Sequence, residues 1–172
     1  PVSVDGESMV GANLIRHLNT LGGDHGVGRI DQVENRLVGI KSREIYEAPA
    51  AVILHSAHRA LEAMTLGKDQ ARTKARISQE YADLVYNGLW FTAHRQDLDA
   101  YVESTQRYVT GDVKLRLTKG SCTVVGRAAP QALYQHSLAT YDRGDQFNHA
   151  SAEGFISIYG LPVRTQNKIQ PQ

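Results

Sequence analysis

The sequence predicts an α+β fold: a mixed β-sheet covered by helices, with an extended C-terminal helical arm. Three observations carry this expectation. Apolar residues recur at helical spacing in several long segments. Period-2 alternation appears in two other places, each beside a glycine where the chain can turn back. From Gln135 onward the pattern decays into polar sequence before one last apolar cluster.

Taken in order, Pro1, Val2, Ser3 and Val4 read as a strand entered midway, with no initiator methionine before it. The chain is therefore expected to be part of a longer protein. Ser8 is placed to cap a helix carrying Val10, Leu14, Leu18 and Leu21, which Gly22 and Gly23 should end. Residues 22–47 follow, with four anions (Asp31, Glu34, Glu44, Glu47) and four cations (Arg29, Arg36, Lys41, Arg43). Here Ile30, Gln32, Glu34 and Arg36 share one face of a strand, Val33 and Leu37 the other, and two strands should meet near Gly39.

Pro49 suits the first turn of a second helix. Residues 50–54 are apolar all round, and Leu54, Ala57, Leu61 and Met64 continue the stripe to about residue 66. Residues 68–87 read as a third helix with Ile77, Tyr81, Leu84 and Val85 inward, stopped by Gly88. Thr92 should cap a fourth, with Leu98, Tyr101, Val102 and Thr105 inward, ending by Gly111; Trp90 between them reads as a packing anchor. Val113, Leu115 and Leu117 alternate with Lys114, Arg116 and Thr118. Lys119 and Gly120 turn the chain into a return strand over 121–127, where Cys122 is a small structural residue. Residues 142–149 are polar and turn-like, and a short helix over 151–161 carries Phe155, Ile156, Ile158 and Tyr159 before Pro162 stops it.

Composition narrows the function classes. A chain of 172 residues can bury a sizeable core. A net charge of +1 gives no electrostatic case for nucleic acid or an anionic membrane. No apolar run approaches the roughly 20 residues of a membrane span. Cys122, the single cysteine, excludes an internal disulfide and fits a reducing compartment. His55, His58 and Glu62 share a helix face, where a metal or a pair of satisfied interface or core histidines would both fit; the latter is the expectation. Residues 22–28 are glycine-rich but precede strands rather than opening a helix, which makes them a weak phosphate cradle. No nucleophile elbow or general base stands out, so no catalytic residue and no metal ligand is assigned.

The charged stretch leaves two readings open on residues alone. It is either a solvated edge hairpin whose charges pair with one another, or a site for a zwitterion such as a free α-amino acid. In the second case Glu34 meets the ammonium, cations or backbone N–H groups meet the carboxylate, and the Tyr46 phenol donates or accepts beside them.

These residues also carry a resemblance. The run GVGRIDQVENRLVGIKSREIYEAPA, residues 26–50, resembles the signature of the argininosuccinate synthase family, in the C-terminal, synthetase half of that enzyme. ADLVYNGLW at 82–90 resembles the family's A-E-L-V-Y-x-G-x-W segment. Gly126, Arg127, Pro130, Leu133 and Tyr134 resemble its G-R-x-x-P-x-x-L-Y, and Gly154, Phe155 and Ile156 its tail motif. The resemblance implies a synthetase, citrulline-binding domain over 1–141 and an oligomerisation arm over 142–172. It implies a cytoplasmic ATP-dependent ligase of arginine biosynthesis and the urea cycle, condensing citrulline and aspartate through a citrullyl-adenylate. ATP with Mg2+ would bind mainly to an N-terminal nucleotide-binding domain, since no S-G-G-x-D-T-S segment occurs here. This chain alone would then be inactive; a non-catalytic amino-acid-binding or oligomerisation module is the alternative. A homotetramer held partly by such arms is also implied; the last helix is accordingly expected to dock on a neighbouring subunit, with Phe155 and Ile158 as anchors, rather than fold back on its own domain.

In that family the glutamate of V-E-N-R and the tyrosine of R-x-[IV]-Y-E contact citrulline. They match Glu34 and Tyr46 here, and only these two are carried over. Arg29, Arg36 and Arg43 are assigned to pairing with the strand acids. Glu34 is expected on a strand with its carboxylate open to a cleft rather than held in an internal ion pair.

Overall fold

The core grows from one stripe of the first helix. A computed structural model describes residues 1–138, 140, 144, 146 and 148–171. In it, helix α1 (Gly11–Asp24) buries Leu14 and Leu18. They meet Ala50 and Ile53 of helix α2 (Pro49–Thr65), together with Val27 from the link that follows α1. A hairpin of β5 (Asp112–Thr118) and β6 (Ser121–Ala128) adds Leu115, Leu117 and Cys122 to this cluster. The alternation of β5 explains why: Val113, Leu115 and Leu117 are half-buried while Lys114, Arg116 and Thr118 are exposed. Full burial of one such aliphatic side chain is worth roughly 1.5–3 kcal/mol.

Helices α3 (Lys68–Tyr86) and α4 (Ala93–Gln106) pack on each other. Thr92 caps α4 as expected, its Oγ1 accepting from Arg95 N at 3.3 Å. Glu62 joins three helices, accepting from Lys74 Nζ of α3 and from Gln106 Nε2 of α4, each at 2.9 Å. Its largest single influence is burial, which favours the neutral acid. The Lys74 and Gln106 contacts outweigh that together and hold the carboxyl below its ordinary range. Trp90 packs edge-on to Tyr81, with the Arg95 guanidinium 4.8 Å above its ring. That is the expected anchoring role.

The α+β class stands, but the single mixed sheet does not. The described strands form three separate antiparallel pairs: β1 (Ser3–Val4) with β2 (Glu7–Ser8), β3 (Arg29–Asn35) with β4 (Lys41–Glu47), and β5 with β6. Each strand pairs with its neighbour across a short turn, and only antiparallel pairing permits that.

Helix ends also differ from expectation. Ser8 lies in β2, and the residue before α1 is Val10. Gly22 and Gly23 do not stop α1 but lie in its last turn. A Cβ on Gly22 would sit 2.7 Å from Pro49 Cβ, so glycine there allows α1 to approach α2. The chain turns at Gly26 instead, with φ +70°.

The chain divides into two compact units, Pro1–Tyr134 and Gln135–Gln172. The expected boundary at 141/142 lies outside the described residues, as does half of the polar stretch 142–149. The second unit contains α5 (Ser151–Tyr159) and α6 (Leu161–Ile169). The expected helix does end before Pro162, at Tyr159, but Pro162 itself lies in the first turn of the next helix. In a first turn its missing N–H would have had no intrahelical partner anyway.

Candidate functional site

The β3–β4 register decides which charges meet. Ile30 pairs with Tyr46, Gln32 with Glu44, and Glu34 with Ser42, which places all six side chains on one face. The turn between the strands contains Gly39 at φ +82°, as the sequence suggested, and Arg36 N donates to Ile40 O at 2.8 Å. On the opposite face Arg43 donates from Nε and Nη2 to the two oxygens of Asp31 at 2.8 and 2.6 Å. That fork holds the Asp31 carboxyl below its usual range. Arg29 reaches Glu47 at 3.8 Å. The supporting, acid-pairing role assigned to these arginines is what the geometry shows.

Glu34 is different. It is 8% exposed, and four donors surround its carboxylate. Tyr46 Oη donates to Oε2 at 2.9 Å, and Tyr86 Oη donates to Oε1 at 3.0 Å. Arg36 Nη1 reaches Oε1 at 3.1 Å, and Gln32 Nε2 lies 3.5 Å from Oε2. The Tyr46 bond is the largest influence on Glu34, followed by the opposing effect of burial, then by Tyr86 and Arg36; the net result holds the carboxyl below its ordinary range. In return, the carboxylate pushes the Tyr46 phenol up.

The expected open carboxylate is thus corrected. Glu34 lies on a strand, but it is enclosed and bonded to Arg36. The reason is partly local, because Arg36 sits just past the strand and folds back two positions. It is partly distant, because Tyr86 arrives from the end of α3, 52 positions away. Tyr46 is 42% and Tyr86 48% exposed. The phenols and the guanidinium therefore form the surface that an approaching group meets, with the charge just behind them.

Sequence reasoning singled out Glu34 and Tyr46 and missed Tyr86. A signal was present, since Tyr86 belongs to the ADLVYNGLW segment, but nothing local connects that tyrosine to residue 34. Ser42 also escaped notice. It faces Glu34 directly across the hairpin, and its buried Oγ has no hydrogen-bond partner.

The arrangement can hold a cation against an ionised, oriented carboxylate. The other candidates are occupied elsewhere. His58 Nε2 lies 3.2 Å from Glu62 Oε1. Among the described residues no group of three His, Cys, Asp or Glu is placed to hold a metal. In the glycine-rich stretch Gly26 N donates to Gly23 O and Val27 N to Gly22 O, both at 2.8 Å, so these amides are not free for a phosphate. A cavity of about 310 Å³ beside them is lined by Asn19, Gly23, Gly26, Val27, Arg29 and Glu47, among others, and its one cation already faces Glu47. Among the described residues, this stretch and the cavity beside it do not offer the free donors a nucleotide phosphate would need. Among the described residues no helix is long and apolar enough to cross a membrane.

Comparison with known proteins gives a consistent family. The family model described as "Arginosuccinate synthase C-terminal domain" matches residues 1–166. The argininosuccinate synthase of Dehalococcoides mccartyi is 59% identical over 171 residues, covering 99% of this chain and 42% of that protein. Those of Chlorobium chlorochromatii and Chlorobaculum tepidum are each 56% identical over 169 residues, covering 98% of this chain and 42% of theirs. The chain spans about two fifths of the length of the curated relatives it matches.

Proposed function

The chain belongs to the argininosuccinate synthase family, and from that premise we propose that it is the citrulline-binding part of a longer carbon–nitrogen ligase. In that reading the ureido oxygen of citrulline attacks the α-phosphorus of ATP and pyrophosphate leaves. The aspartate amine then forms a bond to the ureido carbon, loses a proton, and expels AMP. ATP and its Mg2+ bind mainly to an N-terminal nucleotide-binding domain, and this chain alone is inactive. Its contribution is positioning, which can supply much of the rate enhancement when two reactants must meet.

The observation that carries this reading is Glu34, an ionised carboxylate gripped by two phenols on the hairpin that matches the family signature. Its partner in the substrate is the α-ammonium of citrulline. Arg36 is the group that this ammonium displaces from Oε1. It is half-exposed, and Glu44 lies 3.8 Å from its Nη2 as an alternative acceptor. Tyr46 keeps Oε2 in place throughout.

A second element of the proposal is assembly. Phe155, Ile158, Tyr159, Leu161 and Val163 are exposed in α5 and α6. We assign their cover to further copies of the same protein, in a homotetramer.

Glu34→Gln in the full-length ligase tests the substrate role. A charge-assisted bond to the substrate is lost, so citrulline kcat/KM should fall roughly ten- to hundredfold, with the KM for ATP nearly unchanged. Unaltered citrulline kcat and KM would refute it.

A further inference from the structure

We propose that Tyr86 is a positioning residue for the substrate ammonium: from the end of α3 it fixes Glu34 Oε1 and so aims the one lone pair that Arg36 vacates. This inference rests on the reading of Glu34 given above. The two phenols on the carboxylate are not equivalent. Tyr46 belongs to the same hairpin as Glu34 and moves with it, so its bond at 2.9 Å cannot set where the hairpin stands. Tyr86 belongs to the helical layer, and its bond at 3.0 Å ties the carboxylate to that layer.

The support behind Tyr86 is stiff. The end of α3 is closed by Asn87 N to Asp83 O at 2.9 Å, Gly88 N to Val85 O at 3.1 Å and Leu89 N to Leu84 O at 2.8 Å. Gly88 makes this closure possible with φ +74°. Farther along α3, Lys74 is paired with Glu62 of α2 at 2.9 Å and Glu80 with His94 of α4 at 2.8 Å. The phenol is therefore presented from a helix held on two sides.

The chemistry follows from counting. A carboxylate offers about four acceptor positions. Here Oε1 receives Tyr86 and Arg36, and Oε2 receives Tyr46 and the long Gln32 contact. When an ammonium takes the Arg36 position, Tyr86 still occupies the other position of Oε1. The substrate is left with a single direction of approach, set by an element outside the hairpin. Tyr86 also favours the charged forms of both partners, lowering the pKa of Glu34 and heading the influences that raise that of Arg36.

The test is a double-mutant cycle in the full-length ligase, with Tyr86→Phe, Glu34→Gln and the pair. Tyr86→Phe should raise the citrulline KM about tenfold, the effect of one hydrogen bond to a charged group. The KM values for ATP and aspartate and the melting temperature should be unchanged. The acid limb of citrulline kcat/KM should move to higher pH, because Glu34 loses a donor that stabilises its ionised form. In the Glu34→Gln background the same substitution should have no further effect on citrulline. A Tyr86→Phe enzyme with wild-type citrulline KM and an unmoved acid limb overturns the proposal. So does an equal loss in both backgrounds, or a general loss of stability with all three KM values altered, either of which makes Tyr86 a packing residue. If Glu34→Gln is itself silent, the reading of Glu34 fails; if Glu34→Gln is impaired and Tyr86→Phe is silent, only the role of Tyr86 fails.

Discussion

Gly28→Ala should be among the most damaging single-methyl additions to this chain, and the geometry says by how much. Gly28 stands at the entry to β3 with φ +88°, a conformation that costs an L-residue roughly 1–2 kcal/mol. Space is the second problem. A Cβ built there lies 2.5 Å from Pro49 N and 2.6 Å from both Ala48 C and Pro49 Cα. Ordinary carbon contacts sit at about 3.5–4.0 Å, and these neighbours are backbone that no rotamer change can move. Relief needs displacement of residues 48 and 49. That strains the Ala48 N to Gly28 O bond of 2.9 Å at the base of the hairpin, and it moves Pro49, which is already close to Gly22. Overpacking of this kind costs about 1–3 kcal/mol, and a weakened hydrogen bond about 1 kcal/mol more. The expected total is about 3–6 kcal/mol, or a fall in melting temperature on the order of 10 °C for a chain of this size. Gly39→Ala is the internal control. Gly39 has φ +82°, but nothing lies within 4 Å of a Cβ placed there. It should lose only the conformational part, about 1–2 kcal/mol. Urea denaturation of both variants, followed by circular dichroism, measures the difference. Equal losses, or a Gly28→Ala chain within about 1 kcal/mol of wild type, the level of a typical substitution, would refute the steric reasoning.

Three other outcomes are expected. Tyr46→Phe in the full-length ligase should lower citrulline kcat/KM about tenfold through one lost hydrogen bond, with thermal stability almost unmoved; a destabilised but fully active variant would make Tyr46 structural. Glu62→Gln removes the Lys74 ion pair and should cost about 1.5–3 kcal/mol at neutral pH in urea titrations. Because the folded carboxyl has a lowered pKa, the stability it contributes is complete above the ordinary carboxyl pKa and is lost as pH falls through the folded value. The gap between wild type and variant should therefore close in acid, and a constant gap would sink the assignment. Phe155 and Ile158 are 63% and 72% exposed. Their burial between subunits would be worth roughly 3–6 kcal/mol per arm. Phe155→Asp with Ile158→Asp should therefore shift the light-scattering mass of the full-length protein from tetramer towards dimer or monomer, and a tetramer surviving at micromolar concentration speaks against that cover.

What could be read from the sequence is what depends on near neighbours along the chain. Leu14 and Leu18, Thr92 as a cap, Gly88 as a stop and the alternation of Val113, Leu115 and Leu117 all act within a turn or a strand, and each appears in the structure in its expected role. Residues 26–50 carry the family resemblance, and the match of Glu34 to the glutamate of V-E-N-R is what singles it out among the four carboxylates of the hairpin. Tertiary structure decided which partners those are. Arg36 folds back onto Glu34 instead of leaving it open, and Tyr86 arrives from another element. Glycines show the same division. Gly22 and Gly23 look like a helix stop, yet both lie within the helix, and at Gly22 it is Pro49, on a different segment, that takes the space a side chain would need. Pro162 looks like a terminator, yet it opens a helix, because its missing donor costs nothing in a first turn. Period and propensity are local quantities that a linear sequence carries openly. Hydrogen-bond satisfaction and steric exclusion belong to pairs of atoms brought together only by the fold, so the enclosure of Glu34 and the close approach at Gly22 were decided there.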